Sequence, residues 1–278
     1  MKKISIILIA LFITTTAVVH VAAQRKVVPV LETKIGGLLG GVQNGKYLDA
    51  AATVKAMRAE EDYSVYALDG TVAQLWKLKK PTKFCPGDFY NFDFSEQKSV
   101  DFEKGGAALG DGFDWNPLPR KSQTISLDHA EYKKIIGDFL RTRGIANPII
   151  TMTQAVRIDL EGDDQDEVVL AATRFVPFTE KDQKKAFDEY SVVLLRKIVG
   201  GRPQTIFLTG DVILKNRFDY DASQNSVSSI FDINGDGRME IVIYQNYVEK
   251  SSVKVFEIIN GKASEVKQLS AENGGECY

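Results

Sequence analysis

Two stretches of this chain repeat one another, and that repeat is the strongest constraint on what its C-terminal half can fold into. Val156-Arg-Ile-Asp-Leu-Glu-Gly-Asp-Asp-Gln-Asp-Glu-Val-Val-Leu170 aligns with Ser229-Ile-Phe-Asp-Ile-Asn-Gly-Asp-Gly-Arg-Met-Glu-Ile-Val-Ile243, which places Asp159 on Asp232 at an offset of 73. Further on, Val193–Arg202 aligns with Val253–Lys262 at an offset of 60, so the first copy carries thirteen extra residues around Thr179–Tyr190. Each copy reads strand, acidic loop, strand, strand, tight turn, strand. That order predicts a four-stranded antiparallel meander.

The acidic loops carry the most specific chemistry. In the second copy Asp232, Asn234, Asp236 and Glu240 occupy positions 1, 3, 5 and 9, with Gly235 and Gly237 between them. Alternate residues of a tight loop can turn oxygen donors inward while glycines let the backbone curl, and six to eight oxygens suit Ca²⁺. The backbone carbonyl of Arg238, at position 7, adds a further donor. The loop is not an EF-hand, because position 12 is Ile243 and a strand follows instead of a helix. Zn²⁺ is disfavoured by the lack of His or Cys nearby. The competing reading is an Asn-Gly-Asp-Gly turn whose acids cap backbone N–H groups. The first copy keeps the spacing with Asp159, Glu161, Asp163 and Glu167 and the carbonyl of Gln165, but puts Asp164 where glycine is expected. Its excess of like charge predicts weaker or altered binding.

The run Asp232-Ile-Asn-Gly-Asp-Gly-Arg-Met-Glu-Ile-Val resembles the loop-and-strand signature of FG-GAP or VCBS repeats, the blade units of integrin-α-like β-propellers. The resemblance spans residues 150–270 in two copies, the second sharp and the first degraded. It implies structural calcium held by Asp232, Asn234, Asp236, Arg238 (carbonyl) and Glu240, and by Asp159, Glu161, Asp163, Gln165 (carbonyl) and Glu167. Propellers close with about four blades or more, and two are legible here. The expected fold class is therefore mainly β, with four-stranded antiparallel meander blades of propeller-like type and one or two helices. Residues 24–125 are either a divergent blade without the metal loop, centred on 34–78, or a separate α+β domain packed on the two blades.

Hairpin dipeptides at Asn44-Gly45, Asp69-Gly70, Gly200-Gly201 and Asn260-Gly261 lie between apolar runs and predict antiparallel pairing. A helix is expected over 128–143, where Asp128 and Glu131 fit a capping box and Tyr132, Ile135, Ile136, Phe139 and Leu140 share one face, with Gly144 as its stop. A shorter one is expected over Ala50–Arg58. Residues 126–149 then form a helix and linker, and 150–278 the two repeats. Prolines and the Gly105-Gly106 pair break 79–125 into loops, with short strands near Phe89–Phe94 and Gln123–Ser126.

At the N-terminus, Lys2 and Lys3, the apolar run Ile4–Ile13 and the small residues Val21-Ala22-Ala23 form a signal peptide over 1–23, too short in its apolar part to span a bilayer. Export to the periplasm or the extracellular space is expected, and no later stretch of the mature chain is apolar enough to be transmembrane. Removing the peptide takes away two Lys and no acid, moving the formal charge from −2 to −4. A mild acid excess without clustered Lys and Arg argues against nucleic-acid binding. Cys85 and Cys277 are an even pair in a compartment that permits a disulfide between them.

Signs of catalysis are sparse. The mature chain has one histidine, His129, expected as an exposed residue in the first turn of the helix, and no G-x-S-x-G, phosphate loop or dinucleotide fingerprint. Asp111 and Asp114 are a candidate carboxylate pair beside Trp115, more simply read as a polar turn. Of Phe84, Phe89, Tyr90, Phe92 and Phe94, about half are expected in the core and the rest on a patch for a sugar or protein. These features favour a secreted or periplasmic non-catalytic binding or interaction protein with calcium-stabilised β repeats, its partner a protein or glycan. The alternative is a metal-dependent hydrolase of glycans or phosphoesters using the acidic loops or Asp111 and Asp114.

Overall fold

The computed structural model describes residues 26–84, 89–97, 105–175, 188–215 and 222–274. Residues 1–23, expected as a signal peptide, together with Cys85, Cys277 and most of the extra segment of the first repeat, lie outside these residues. Among them the chain is mainly β, with antiparallel sheets and two helices.

The N-terminal part supplies β1 (Val28–Glu32), β2 (Gly37–Gln43), β3 (Lys46–Leu48), α1 (Ala50–Ala56), β4 (Glu60–Tyr66), β5 (Val72–Lys79), β6 (Thr82–Phe84), β7 (Phe89–Asn91) and β8 (Ala107–Gly110). These strands form one eight-stranded sheet in the order β5-β4-β8-β1-β2-β7-β6, with β3 also paired to β2. Next come β9 (Gln123–Thr124), α2 (Ala130–Thr142), β10 (Met152–Ile158), β11 (Glu167–Arg174), β12 (Glu189–Val199) and β13 (Arg202–Ile213), whose strands make a second sheet in the order β13-β12-β11-β10-β9. The third sheet is the meander β14 (Gln224–Phe231), β15 (Glu240–Asn246), β16 (Lys250–Ile259) and β17 (Lys262–Gly274). Each repeat copy is thus a four-stranded antiparallel meander, the first extended by β9.

The third sheet is the middle layer of a stack. On one face Val242, Val253, Val255, Val266 and Leu269 pack with Val28, Val30, Leu39 and Leu109 of the first sheet. On the other, Ile230, Ile241, Ile243 and Ile258 pack with Val169, Ala171, Val193 and Leu195 of the second. Alternate residues of β11 and β12, namely Leu170, Ala172, Val192 and Leu194, face outward and are covered by Tyr132, Ile136 and Leu140 of α2. The near-continuous apolar runs of these strands follow from this, since a sheet buried on both faces needs apolar residues at every position. The outer face of the first sheet carries another core, Leu31, Tyr63, Leu75, Phe92 and Ala108, with Met57 and Val54 from the region of α1. No closed propeller or barrel is identified among the described strands.

Close approach of layers selects glycine at one place in particular. Gly40 in β2 has φ +152, and a Cβ there would meet the Gln268 carbonyl oxygen of β17 at 2.7 Å. Three of the expected hairpin turns, Asn44-Gly45, Gly200-Gly201 and Asn260-Gly261, have both residues at positive φ. At Asp69-Gly70 only the glycine is left-handed, and the turn is longer, closed by Ala67 N–H to the Thr71 carbonyl and capped by the Asp69 side chain.

Two sequence expectations need correction at α2. Its N-cap is His129, with no side-chain cap, because Asp128 pairs with Lys133 at 2.7 Å instead of closing a capping box. His129 is also not exposed: it is half-buried, with its ring 4.4 Å from that of Tyr132. No described helix is long and apolar enough to cross a membrane.

Candidate functional site

Both acidic loops join the first two strands of a meander and share most of their wiring; they differ at the position-5 N–H, which Asp163 donates to Asp159 at position 1 (3.2 Å) and Asp236 to Asn234 at position 3 (2.9 Å). At position 1, Asp232 accepts from Gly235 N–H (2.7 Å) and Gly237 N–H (2.9 Å), and Asp159 accepts from Gly162 N–H (2.7 Å) and Asp164 N–H (3.1 Å). At position 5, Asp236 accepts from Arg238 N–H and Asp163 from Gln165 N–H. At position 9, one oxygen of Glu240 accepts from Ile233 N–H (2.7 Å) and one of Glu167 from Leu160 N–H (2.8 Å). The curl is the same as well. Gly235 and Gly237 have φ +79 and +84, Gly162 and Asp164 +75 and +61. The missing glycine of the first loop therefore does not cost it the turn: Asp164 adopts the left-handed conformation, which aspartate tolerates better than most residues.

The loops differ in what meets positions 3 and 9. In the first, Lys197 of β12 donates its ammonium to Glu161 and, at 2.7 Å, to the second oxygen of Glu167. In the second, the Tyr47 hydroxyl, brought in from β3 of the first sheet, donates to Glu240 at 2.9 Å and accepts from the Asn234 amide at 3.0 Å. A buried cation thus serves one loop and a neutral hydroxyl the other.

The electrostatics follow. Asp232, Asn234 and Glu240 are buried, whereas Asp236 is exposed and lies against Arg238 at 3.3 Å. Among the described residues no Lys or Arg pairs with Asp232 or Glu240. Burial pushes the Glu240 carboxyl up to about 8, against the Ile233 N–H and the Tyr47 hydroxyl, with Asp232 and Asp236 adding repulsion. Burial also raises Asp232, against the hydrogen bonds from Gly237 and Gly235, and the Tyr47 hydroxyl, through burial and the neighbouring Glu240. In the first loop burial works against the Lys197 ammonium, but Glu161 and Glu167 outweigh it and hold its pKa above the ordinary lysine value. Burial raises Glu167 in spite of that ammonium.

Arg120 locks the two loops together. Its guanidinium donates to the carbonyls of Asp159 and Leu160 (3.1 Å) in one and of Gly237 (2.7 Å) in the other, while Met239 N–H donates to the Leu160 carbonyl at 2.9 Å. The second loop is also tied to the segment after β8, where Trp115 donates its indole N–H to the Asp232 carbonyl and Pro117 accepts from Asp232 N–H. Beside it lies a hollow of about 290 Å³ lined by Lys26, Asn44, Asp114, Trp115 and Asn234 among others.

The donor types of the second loop, carboxylate, amide and backbone carbonyl oxygen, suit a hard cation. No three Asp, Glu, His or Cys side chains among the described residues converge closely enough to form a ready metal cluster, and Asp236 is turned to Arg238. Asp111 and Asp114 are both exposed, with the Asp111 carbonyl accepting from Lys26. Of the aromatic group, Phe89 and Phe92 are core, Tyr90 and Phe94 half-buried, and Phe84 half exposed at 52%. Sequence reasoning missed Lys197, Tyr47 and Arg120. Only Lys197 left a signal, because the repeat places it on Glu257 and so reverses the charge at equivalent positions. Comparison with protein-family models, curated proteins and solved structures returns no match for this chain.

Proposed function

We propose that the chain is an exported, non-catalytic binding or interaction module built on FG-GAP/VCBS-like repeats, in which calcium stabilises loop 232–240. The observation that carries this reading is the buried, uncompensated pair Asp232 and Glu240. Two carboxylates withdrawn from water without a counter-ion disfavour the charged state, and a bound divalent cation supplies the missing charge. Asp232, Asn234, Asp236, Glu240 and the Arg238 carbonyl would hold it, and its role would be to set the loop and the surfaces beside it. The adjoining hollow offers Trp115 with polar neighbours, a mixture suited to a glycan or a polar segment of a protein.

The test is the thermal midpoint of the mature protein with 5 mM Ca²⁺ and with excess chelator, in wild type and in Asp232→Asn/Glu240→Gln. At about 100 times Kd a ligand that binds only the native state adds about 2.7 kcal/mol. At ~2–4 °C per kcal/mol for a chain of this size, wild type should gain roughly 5–10 °C and the double variant nothing. An unmoved wild type would remove calcium from the proposal.

A further inference from the structure

The two loops share most of their backbone-to-carboxylate bonds and differ in charge at the partner of positions 3 and 9. Lys197 belongs to the same meander as the loop it serves, is 5% exposed, and touches Glu161 and Glu167 together. We propose that the Lys197 ammonium is the resident counter-ion of loop 159–167, in place of the divalent ion that the loop's resemblance implies, so that this loop is independent of metal.

Charge and access both lead there. With Lys197 in place, Glu161 and Glu167 already have a counter-ion, and an incoming 2+ ion would meet the ammonium's repulsion at contact distance. Among the described residues the four acids Asp159, Glu161, Asp163 and Glu167 do not converge into a metal cluster of their own. The way in is open: a hollow of about 360 Å³ runs between the loop and two hairpin tips, lined by Glu161, Asp163, Lys197, Gly201 and Gly261 among others. The repeat supports the assignment independently, since the copy that lacks the lysine has Glu257 in its place and a neutral Tyr47 hydroxyl on its position-9 acid. This inference does not depend on calcium binding by the second loop.

The experiment starts from Asp232→Asn/Glu240→Gln, in which the second loop is disabled whether or not it binds calcium. In that background the thermal midpoint is read with 5 mM Ca²⁺ and with chelator, before and after adding Lys197→Met, and again with Glu161→Gln/Glu167→Gln added. The reference should not respond to calcium. Lys197→Met should fall by at least about 5 °C in chelator, because the buried Glu167 and the half-buried Glu161 lose their partner, and the added glutamines should recover at least half of that loss. A calcium response of the reference that Glu161→Gln/Glu167→Gln removes would overturn the proposal, as would a Lys197→Met variant as stable as the reference or one that the added glutamines leave unimproved. Should Lys197→Met not fold, amine labelling of native wild type decides: Lys197 should stay equally protected with and without calcium, and calcium-induced labelling would show a metal displacing it.

Discussion

Replacing Arg120 with Met keeps an apolar stem of similar reach and removes the guanidinium that donates to Asp159, Leu160 and Gly237. A fully buried hydrogen bond from a charged donor contributes ~1.5–3 kcal/mol, but the Arg120 side chain is 23% exposed, so water can reach part of the gap. The Leu160 carbonyl also keeps its bond from Met239. About 1 kcal/mol for each of three bonds gives a loss of about 3 kcal/mol, or roughly 6–12 °C in thermal midpoint. Urea unfolding in chelator, followed by far-UV circular dichroism, measures it. The control is Arg141→Met on α2, where the arginine makes an exposed i,i+3 pair with Asp138; such a change should stay within about 0.5 kcal/mol. If Arg120→Met is no worse than Arg141→Met, the two loops are not held together through this side chain, and their common packing must rest on the sheets alone.

Glu32 is fully buried between the first and third sheets, with Ser228 and Ile35 N–H as its partners, and burial raises its pKa. An acid raised on folding contributes stability that is complete below its unfolded pKa and is lost as pH rises through the folded one; Glu32→Gln should therefore gain on wild type between pH 5 and pH 8 in urea titrations. Glu240→Gln should do the same in chelator, with wild type losing up to about 1.4 kcal/mol per pH unit between its ordinary value of 4.5 and about 8, and calcium should flatten that slope. Tyr47→Phe leaves Glu240 and Asn234 without their shared hydroxyl and should cost about 1–2 kcal/mol in the same assay. Gly210→Ala should prevent soluble expression, because its φ is +136 and the new Cβ would lie 2.1 Å from the Ser191 carbonyl oxygen.

The meanders were readable because their information is local. Alternating apolar residues, an Asp-rich loop and an Asn-Gly or Gly-Gly turn each act within a few residues, and the repeat stated them twice. The placement of sheets was not readable, because packing the third sheet between the other two depends on which faces meet, and the strands of β11, β12 and β15 are apolar on both. The first sheet was harder still. Its β1 pairs with β8 across nearly 80 residues of sequence, Val30 lying opposite Leu109, and four of its strands have only three or four residues. Short strands carry too few alternations to give a period.

The same division explains what was missed at the loops. Spacing marked Asp159, Asp163, Asp232 and Asp236 as calcium ligands of tight loops, and each bonds N–H groups within five residues. It could not decide between a cation site and a capped turn, because that depends on a third party drawn from elsewhere in the fold. For Glu167 the third party is Lys197, 30 residues on; for Glu240 it is Tyr47, 193 residues away on another sheet. An acidic loop signature therefore reports the curl of a backbone, and the group placed against it decides whether its buried acids have a counter-ion. In this chain one curl brings its own cation, and the other is closed by a hydroxyl that leaves its buried acids uncompensated.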